Sequence, residues 1–423
     1  MHVKALLNHV EKQPGFVYKE QRLGEDPLTG GSRLEVHLAP HGRSKPICSG
    51  CGIKRPGYDT QNTRSFQFMP LWDIPVFFLY APRRVDCPRC GVVVEMLPWA
   101  KGKQAATQRF LWFLASWAKS LSWKETGRRF GVSPQLVFTA VEMAVAWGRA
   151  HMNLDGIRSI GVDEIAWRVG QRYFTVVYQI DNHQKRLLWV AQNRTKESFS
   201  RFFDWLGEER TRGLEFVASD MWKAFLTVVK ERAPAAVHVL DRFHVMQMAA
   251  KAVDEVRRAE VKKLKASGKA PVLADARYLL LKNRENLNER QSSRLGDLLK
   301  INIATVKAYL LKEQLRHFWS YTTPHWAGRF LDQWTATVMR TRLEPFRAVA
   351  RSFRSHRPLI LNWFAARRVG AFALGATEGL NNKAKLSSKM AYGFRTEKHA
   401  QIALFHRLGN LPEPQWLTHR FSR

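Results

Sequence analysis

The sequence predicts a multidomain α+β protein, and three observations support that prediction. The chain has 423 residues, which is too long for one ordinary hydrophobic core, so two to four domains are expected. All four cysteines fall in two Cys-x-x-Cys pairs within the first hundred residues. Residues 158–245 alternate strand and helix character, whereas residues 246–370 are helical and charged. We therefore expect a small β-rich module, a helical pair, and an α/β core interrupted by a long helical insertion.

Charge is the strongest signal in the composition. Lys and Arg number 68 against 36 Asp and Glu, which gives a net charge of +32, whereas ordinary domains stay within roughly 2–8 charges of neutral. With 15 Trp and 25 Phe, this excess indicates a folded protein that binds a polyanion. Nucleic acid is the predicted partner, which the DNA-reading motifs in the following segments narrow to double-stranded DNA, and a membrane surface is the minor alternative.

The same composition argues against secreted and membrane-spanning classes. The sequence has no apolar run of about 18 residues and no recognisable signal peptide. Four clustered cysteines in a long chain imply no disulfide framework. We therefore expect a cytoplasmic, nucleoid-associated protein.

Residues 1–100 are predicted to form a β module that binds zinc. Segments 34–38, 63–69 and 76–85 are strand-like, with proline and glycine between them. The candidate zinc ligands are Cys48, Cys51, Cys87 and Cys90. Two thiolates two residues apart can reach one tetrahedral ion, so two such pairs supply a closed, structural four-sulfur site. Gly52 and Gly91 follow the two pairs and suit the turns that such a site needs.

Residues 101–153 predict a helix-turn-helix that contacts DNA. Helical segments at 108–117, 123–130 and 135–148 are interrupted by Gly131-Val132-Ser133. Ser133 can cap the last helix and Pro134 suits its first position. That helix would enter the major groove; the alternative is an ordinary helical hairpin. The candidate DNA contacts in the two N-terminal modules are Arg83, Arg84, Arg89, Lys124, Arg128, Arg129 and Gln135.

Residues 154–250 are predicted to be the first part of a ribonuclease H-like catalytic core. Three strand-like runs are followed by a helix, a strand, a helix and a strand, which is the order of that fold. Asp163 lies within the first strand and Asp220 follows the fourth. Those two strands are neighbours in a ribonuclease H-like sheet, so the two carboxylates should meet. A pair of Mg²⁺ or Mn²⁺ ions needs such hard oxygen ligands.

The third carboxylate must come from a later helix, and Glu378 is the best candidate. It lies in Thr377-Glu-Gly-Leu-Asn-Asn-Lys. A helical insertion is predicted over residues 251–370, before this motif. The last segment, residues 371–423, is predicted to combine the end of the catalytic core with a basic tail. Asn381 or Asn382, about one turn after Glu378, would add a polar group beside the ligands, and Asn382 is selected as the candidate. Asp241 and His244 could lie beside them, and Asp241 could instead take the role of Glu378. Glu164 adjoins Asp163 but should point to the opposite face of the strand.

Together, these motifs resemble the bacterial insertion-sequence transposases of the ISL3 family. The resemblance spans nearly the whole chain and is most specific in Glu378-Gly-Leu-Asn-Asn-Lys and Ala391-Tyr-Gly-Phe-Arg395. It implies that Asp163, Asp220 and Glu378 form the catalytic triad. It also implies recognition of terminal inverted repeats and a homodimer in the synaptic complex. The candidate DNA contacts of the last segment are Lys383, Lys385, Lys389 and Arg395.

The resulting hypothesis is a DDE transposase. Water at the Asp163–Asp220–Glu378 site would attack the phosphodiester at a transposon end, and the freed 3′-hydroxyl would then attack target DNA. One alternative is a sequence-specific DNA-binding regulator without catalysis, in which the carboxylates are structural. A second is a structure-selective nuclease of the same fold, and the two separate DNA-reading modules argue against it.

Overall fold

A computed structural model describes residues 3–26, 30–42, 44–168, 172–268, 273, 275–301, 303–370 and 375–418. The chain divides into two compact units. The first comprises residues 1–152, 390–407 and 411–423, and the second residues 153–389 and 408–410. The domain boundaries expected from the sequence are finer than this division and stay predictions. Over the described residues, no single helix is long and apolar enough to cross a membrane, although one bent helix pair satisfies the same criteria of length and composition.

The first unit begins with a short helix and two small sheets. Helix α1 is Val3–Val10. The strands are β1 (Phe16–Glu25), β2 (Ser32–Pro40), β3 (Gly57–Thr60), β4 (Arg64–Leu71), β5 (Ile74–Tyr80), β6 (Arg83–Cys87) and β7 (Gly91–Val94). One sheet has the order β1-β2-β5-β4 and the other the order β3-β6-β7. Alternating burial along β2 and β5 places one face of the larger sheet on an aromatic core around Phe78 and Trp99.

Three helices follow in this unit: α2 (Gln108–Ala118), α3 (Trp123–Arg129) and α4 (Pro134–Ala150). Ser122 and Glu125 form a capping box at the start of α3, and Ser133 caps α4 with Pro134 in its first turn. Gly131 has φ +64 in the turn between α3 and α4, a conformation that favours glycine. The bend between these two helices is 114°. Two helices joined by a short turn are thus present in the predicted segment, and their assignment as a DNA-binding helix-turn-helix stays a prediction.

The second unit is built on a five-stranded mixed sheet. Its elements are β8 (Ser159–Arg168), β9 (Arg172–Gln179), β10 (Arg186–Gln192), α5 (Lys196–Leu206), α6 (Glu208–Arg212), β11 (Phe216–Ser219), α7 (Lys223–Arg232) and β12 (Val237–Leu240). The strand order is β10-β9-β8-β11-β12. Strands β8, β9 and β10 pair antiparallel, and β8, β11 and β12 pair parallel. Strand β8 is thus central, and β11 is its parallel neighbour.

A helical array follows the sheet in the chain. Its helices are α8 (Arg242–Ala266), α9 (Arg277–Leu281), α10 (Glu289–Leu299), α11 (Ala304–Arg316), α12 (Pro324–Met339), α13 (Glu344–Ser355) and α14 (Arg357–Arg368). Their apolar faces form one core that is continuous with β12 through Val239 and Leu240. Helix α15 (Ala376–Met390) packs on strand β8 of the sheet, where Thr377 lies against Gly161 and Asn381 contacts Asp163.

The last helices are α16 (Glu397–Leu408) and α17 (Gln415–Thr418). In the first unit, α16 packs along α4: His399 stacks on Phe138 with 4.3 Å between ring centroids, and Lys398 pairs with Glu142 at 2.5 Å. Arg149 also lies over the ring of Phe405. Helix α16 therefore covers part of the surface of α4 in this unit.

Candidate active site and metal centre

Asp163 lies at the centre of the candidate active site. It is on the central strand β8 and is only 6% exposed. Burial raises the pKa of Asp163 to about 6, and the negative charges of Asp220 and Asp241 act in the same direction against the opposing effect of His244. Two hydrogen bonds hold its carboxylate: Oδ1 accepts from the backbone N–H of Glu164 at 2.7 Å, and Oδ2 accepts from the amide of Asn381 at 2.5 Å.

Asp220 reaches the same region from the neighbouring strand. Ala218 on β11 is the register partner of Gly161 on β8, so Asp220 and Asp163 each lie two residues beyond that pair. Burial raises the pKa of Asp220, while Oδ1 accepts a hydrogen bond from the backbone N–H of Trp222 at 2.9 Å. The expected proximity of the two carboxylates thus follows from the parallel pairing of β8 and β11.

Helix α15 packs directly on β8 because residue 161 is a glycine. A Cβ atom at Gly161 would lie 2.5 Å from Thr377 Oγ1 and 3.4 Å from Ile180 Cγ2, so a side chain there would keep the helix away. One turn after Thr377, Asn381 is buried and its Oδ1 accepts a hydrogen bond from Tyr178 at 2.8 Å. Tyr178, Asn381 and Asp163 therefore form a buried hydrogen-bonded chain.

Glu378 is half-buried and adjoins Thr377 on α15. Together with Asp241 it lines a cavity of about 590 Å³. Over the described part of the chain, only the four cysteines place three or more potential metal-ligand atoms within 4.8 Å of one another. Asp163, Asp220 and Glu378 do not form a cluster at that spacing, and their joint role stays a prediction.

His244 lies among the acidic residues. Its Nε2 is 4.0 Å from Asp163 Oδ1, and its Nδ1 is 3.5 Å from Asp241 Oδ2. Burial lowers the pKa of His244, but Asp241, Asp163 and Asp220 outweigh it and raise that pKa to about 9. The acidic side chains of Asp163, Asp220 and Asp241 thus outnumber the one imidazole that lies among them. This excess of hard oxygen donors and negative charge suits Mg²⁺ or Mn²⁺.

Two further acids have local roles. Asp241 caps helix α8 by accepting a hydrogen bond from the N–H of Phe243 at 2.9 Å. Glu164 pairs with Arg194, whose Nη1 lies 2.8 Å and 2.9 Å from its two carboxylate oxygens. Glu164 also lies near enough to Asp220 for its charge to raise the pKa of Asp220. The expectation that Glu164 points to the opposite face of the strand stays a prediction.

The four cysteines meet in the first unit. The Sγ atoms of Cys48, Cys51, Cys87 and Cys90 all lie within 4.8 Å of one another. Burial raises the pKa of the Cys87 thiol, but the N–H groups of Arg89 and Cys90, together with the side chains of Cys51 and Cys48, outweigh it and lower that pKa to about 6. Gly52 and Gly91 have φ +71 and +73, as the expected turns require. A Cβ atom on Gly50 would lie 2.8 Å from Cys90 Sγ. This set could hold one tetrahedral Zn²⁺.

The predicted DNA contacts divide into two groups. Arg83 binds the buried carboxylate of Glu95 at 2.7 Å and donates to the carbonyl of Ser44, and Arg84 pairs with Asp59. The side chains with an exposed position are Arg89, Lys124, Arg128, Arg129, Gln135, Lys383, Lys385, Lys389 and Arg395. Of these, Arg129 also pairs with Asp73 at 3.0 Å. Asn382 is also exposed, whereas its neighbour Asn381 reaches Asp163. Arg83 thus has a structural partner that the sequence pattern did not reveal.

Comparison with known proteins identifies the relatives of this chain. The model of the ISL3 family, described as transposase, matches residues 160–404, which is more than half of the chain. The chain belongs to the ISL3 transposase family. The transposase of insertion sequence element IS1557 from Mycobacterium tuberculosis is 29% identical over 92% of this chain and 91% of its own length. The transposase of IS1001 from Bordetella parapertussis is 26% identical over 91% of this chain and 93% of its own length.

Three residues beside the candidate active site were not singled out from the sequence. Tyr178 holds Asn381, while Arg194 and Trp222 pack beside Glu164 and Asp220. Tyr178 is in β9 and Arg194 follows β10, so neither residue is a near neighbour of Asp163 or Asp220 in the sequence. Trp222 could have been found, because an aromatic residue two positions after a candidate ligand is evident in Ser219-Asp-Met-Trp.

Proposed function

We propose that this ISL3 transposase binds the terminal inverted repeats of an insertion sequence and catalyses metal-dependent DNA strand cleavage and strand transfer. Asp163, Asp220 and Glu378 are the proposed catalytic and metal-binding residues on a ribonuclease H-like core. The observation that carries the proposal is the pairing of β8 with β11 in a chain of this family, because Asp163, within β8, and Asp220, just after β11, each lie two residues beyond the register pair Gly161–Ala218.

Two divalent ions, when bound, would supply charge stabilisation and activation of the attacking oxygen. The chain's own contribution is positioning. Tyr178 fixes Asn381, and Asn381 fixes Oδ2 of Asp163, so the orientation of the central carboxylate is set before substrate arrives. His244 supplies a positive charge beside Asp163, which offsets part of the repulsion among the buried acids.

The first unit is proposed to recognise the DNA ends. The cysteines would hold a structural Zn²⁺, and α3 with α4 would act as a helix-turn-helix. Gly127 permits this geometry, since a Cβ there would lie 2.6 Å from the carbonyl oxygen of Val132 in the turn. Gln135, in the first turn of α4, and the nearby Arg128 are exposed, as residues that contact a groove and its phosphates must be. A homodimer would pair the two ends.

The test is cleavage of DNA that carries the element's own ends, in Mg²⁺ or Mn²⁺. Wild type should cut, whereas Asp163→Asn and Glu378→Gln should bind the same DNA without cutting it. Glu289→Gln is the matched control, because Glu289 is an exposed acid on α10, and it should cut as wild type does.

The outcomes separate the competing functions. Binding without cutting by every protein, wild type included, would favour the DNA-binding regulator. Cutting by Glu378→Gln at the wild-type rate would move the third ligand elsewhere, with Asp241 as the next candidate. Metal binding has a second readout: Mg²⁺ should raise the melting temperature of wild type more than that of Asp163→Asn, because an ion that binds only the folded state stabilises it.

A further inference from the structure

An exposed tryptophan lies beside the candidate active site. Trp222 is 41% exposed, and its backbone N–H donates to the carboxylate of Asp220 at 2.9 Å. Its backbone position is therefore tied to a proposed metal ligand. A large aromatic side chain that stays exposed at such a point is available to contact a substrate.

The guanidinium group of Arg194 packs against the Trp222 ring. The guanidinium carbon of Arg194 is 4.6 Å from the centroid of the Trp222 ring and 5.1 Å from that of Tyr173. Glu164 holds Arg194 through both carboxylate oxygens. Contacts of a guanidinium with aromatic faces are attractive, so Arg194 fixes the Trp222 ring in orientation.

Trp222 opens onto a positively charged cleft. With Asp220 and His244 it lines a cleft of about 840 Å³, and Lys251, Arg258 and Arg277 line its other parts. Arg257, Arg258 and Arg277 share the single carboxylate of Asp254 at 2.8, 3.4 and 3.6 Å. Three cations on one anion leave an excess of two positive charges in this cluster.

The cleft extends away from the acidic residues along one face of α8. His244, Lys251 and Arg258 are each seven residues apart, which is about two helical turns or roughly 10 Å per interval. The carboxylates thus lie at one end of this face, the arginine cluster at the other, and Trp222 beside the carboxylates. A nucleic acid strand supplies the matching chemistry, with flat bases for the ring and phosphates for the cations.

We propose that Trp222 stacks on the nucleobase next to the phosphodiester that this site cleaves, with Lys251, Arg258 and Arg277 contacting phosphates of the same strand. A base inside a duplex is covered on both faces, so the base on Trp222 must be unpaired or terminal. Strand cleavage creates such a terminal base, and the indole takes the place of the neighbouring base on its open face. Arg194 is the positioning residue. This inference rests on the proposed function.

The test uses the full chain and a pre-cleaved end of the element with 2-aminopurine as the terminal base. The fluorescence of this base falls when it stacks. Trp222→Leu removes the flat ring but keeps an apolar side chain, and Trp222→Phe keeps a flat ring. Trp326→Leu is the matched control, because Trp326 is 55% exposed on α12. Internal duplex of the same length serves as the reference DNA.

Wild type, Trp222→Phe and Trp326→Leu should quench the fluorescence. Trp222→Leu should not quench it, and should bind the pre-cleaved end about tenfold more weakly while binding internal duplex as wild type does. Equal quenching by Trp222→Leu would overturn the inference. Loss of all DNA binding by both Trp222 variants would also overturn it, because the ring would then support the fold and not the base.

The two proposals fail in different ways. If wild type neither binds nor cuts the element's ends, the proposed function is wrong. If wild type cuts and the quenching does not depend on Trp222, only the stacking role is wrong.

Discussion

Replacing Gly161 with alanine should separate helix α15 from strand β8. The new Cβ would lie 2.5 Å from Thr377 Oγ1, whereas ordinary contacts begin at 3.4 Å, so the two elements must move apart by about 0.9 Å. Thr377 is buried and β-branched, which limits its freedom to rotate away. Overpacking of this kind costs about 1–3 kcal/mol. For a unit of this size the melting temperature should fall by roughly 2–12 °C.

The same displacement should impair catalysis, because Asn381 lies one turn after Thr377 and donates to Asp163. A shift of about 1 Å in a positioned group can lower the cleavage rate on the order of 100-fold. The assays are thermal unfolding and single-turnover cleavage of the element's ends. The double variant Gly161→Ala/Thr377→Ala removes the clashing oxygen and should recover much of both losses.

A control variant separates the clash from the general effect of adding a methyl group. No atom lies within 4 Å of a Cβ built on Gly296, which is in helix α10. Gly296→Ala should therefore stabilise the protein by up to about 1 kcal/mol. If Gly161→Ala melts and cuts as wild type does, the close approach of α15 to β8 does not determine the site geometry and the reasoning is refuted.

Three further predictions follow from the structure. Burial, with His356 adding to it, lowers the pKa of His238 to about 4. As the pH falls below 6.5, the unfolded chain is therefore protonated at this histidine before the folded protein is. About 3 kcal/mol of folding stability, fully present above pH 6.5, should be lost as the pH falls toward 4. His238→Gln should flatten this dependence in urea unfolding, and an unchanged profile would show that another group controls it. Cys87→Ser should lose the bound zinc measured by elemental analysis and unfold more easily; full zinc content would contradict a four-sulfur site. Changing Lys383, Lys385 and Lys389 to alanine should weaken DNA binding. The slope of log binding constant against log salt concentration should become shallower by about 0.9 for each phosphate that is no longer neutralised. Lys300→Ala, which changes an exposed lysine paired with Asp297, should leave that slope unchanged.

Local patterns account for the parts of the fold that could be predicted. The segments β8 to β12 occur in the predicted order, and Asp163 and Asp220 lie at the predicted places within and after a strand. Ser133 caps α4 as expected. These features depend on residues that are close in the chain: alternation, capping and the spacing of cysteines act over a few positions.

Contacts between distant segments could not be predicted in the same way. Of Asn381 and Asn382, the sequence analysis selected Asn382 as the neighbour of the ligands. Only the rotation of α15 on β8 directs Asn381 to Asp163 and leaves Asn382 exposed. Arg83 looked like a DNA contact because its pattern is basic, yet Glu95 binds it. The packing of α16 on α4 depends on residues about 260 positions apart.

The sequence by itself determined the residue types, the order of the elements and the ISL3 family, because motifs and periodicity are local properties of the chain. Only the tertiary structure decided which side chains surround Asp163. Strand register brought Asp220 to it, a glycine at position 161 admitted α15, and helix rotation selected Asn381. Those outcomes depend on how distant surfaces fit together, and that fit is a property of packing in three dimensions.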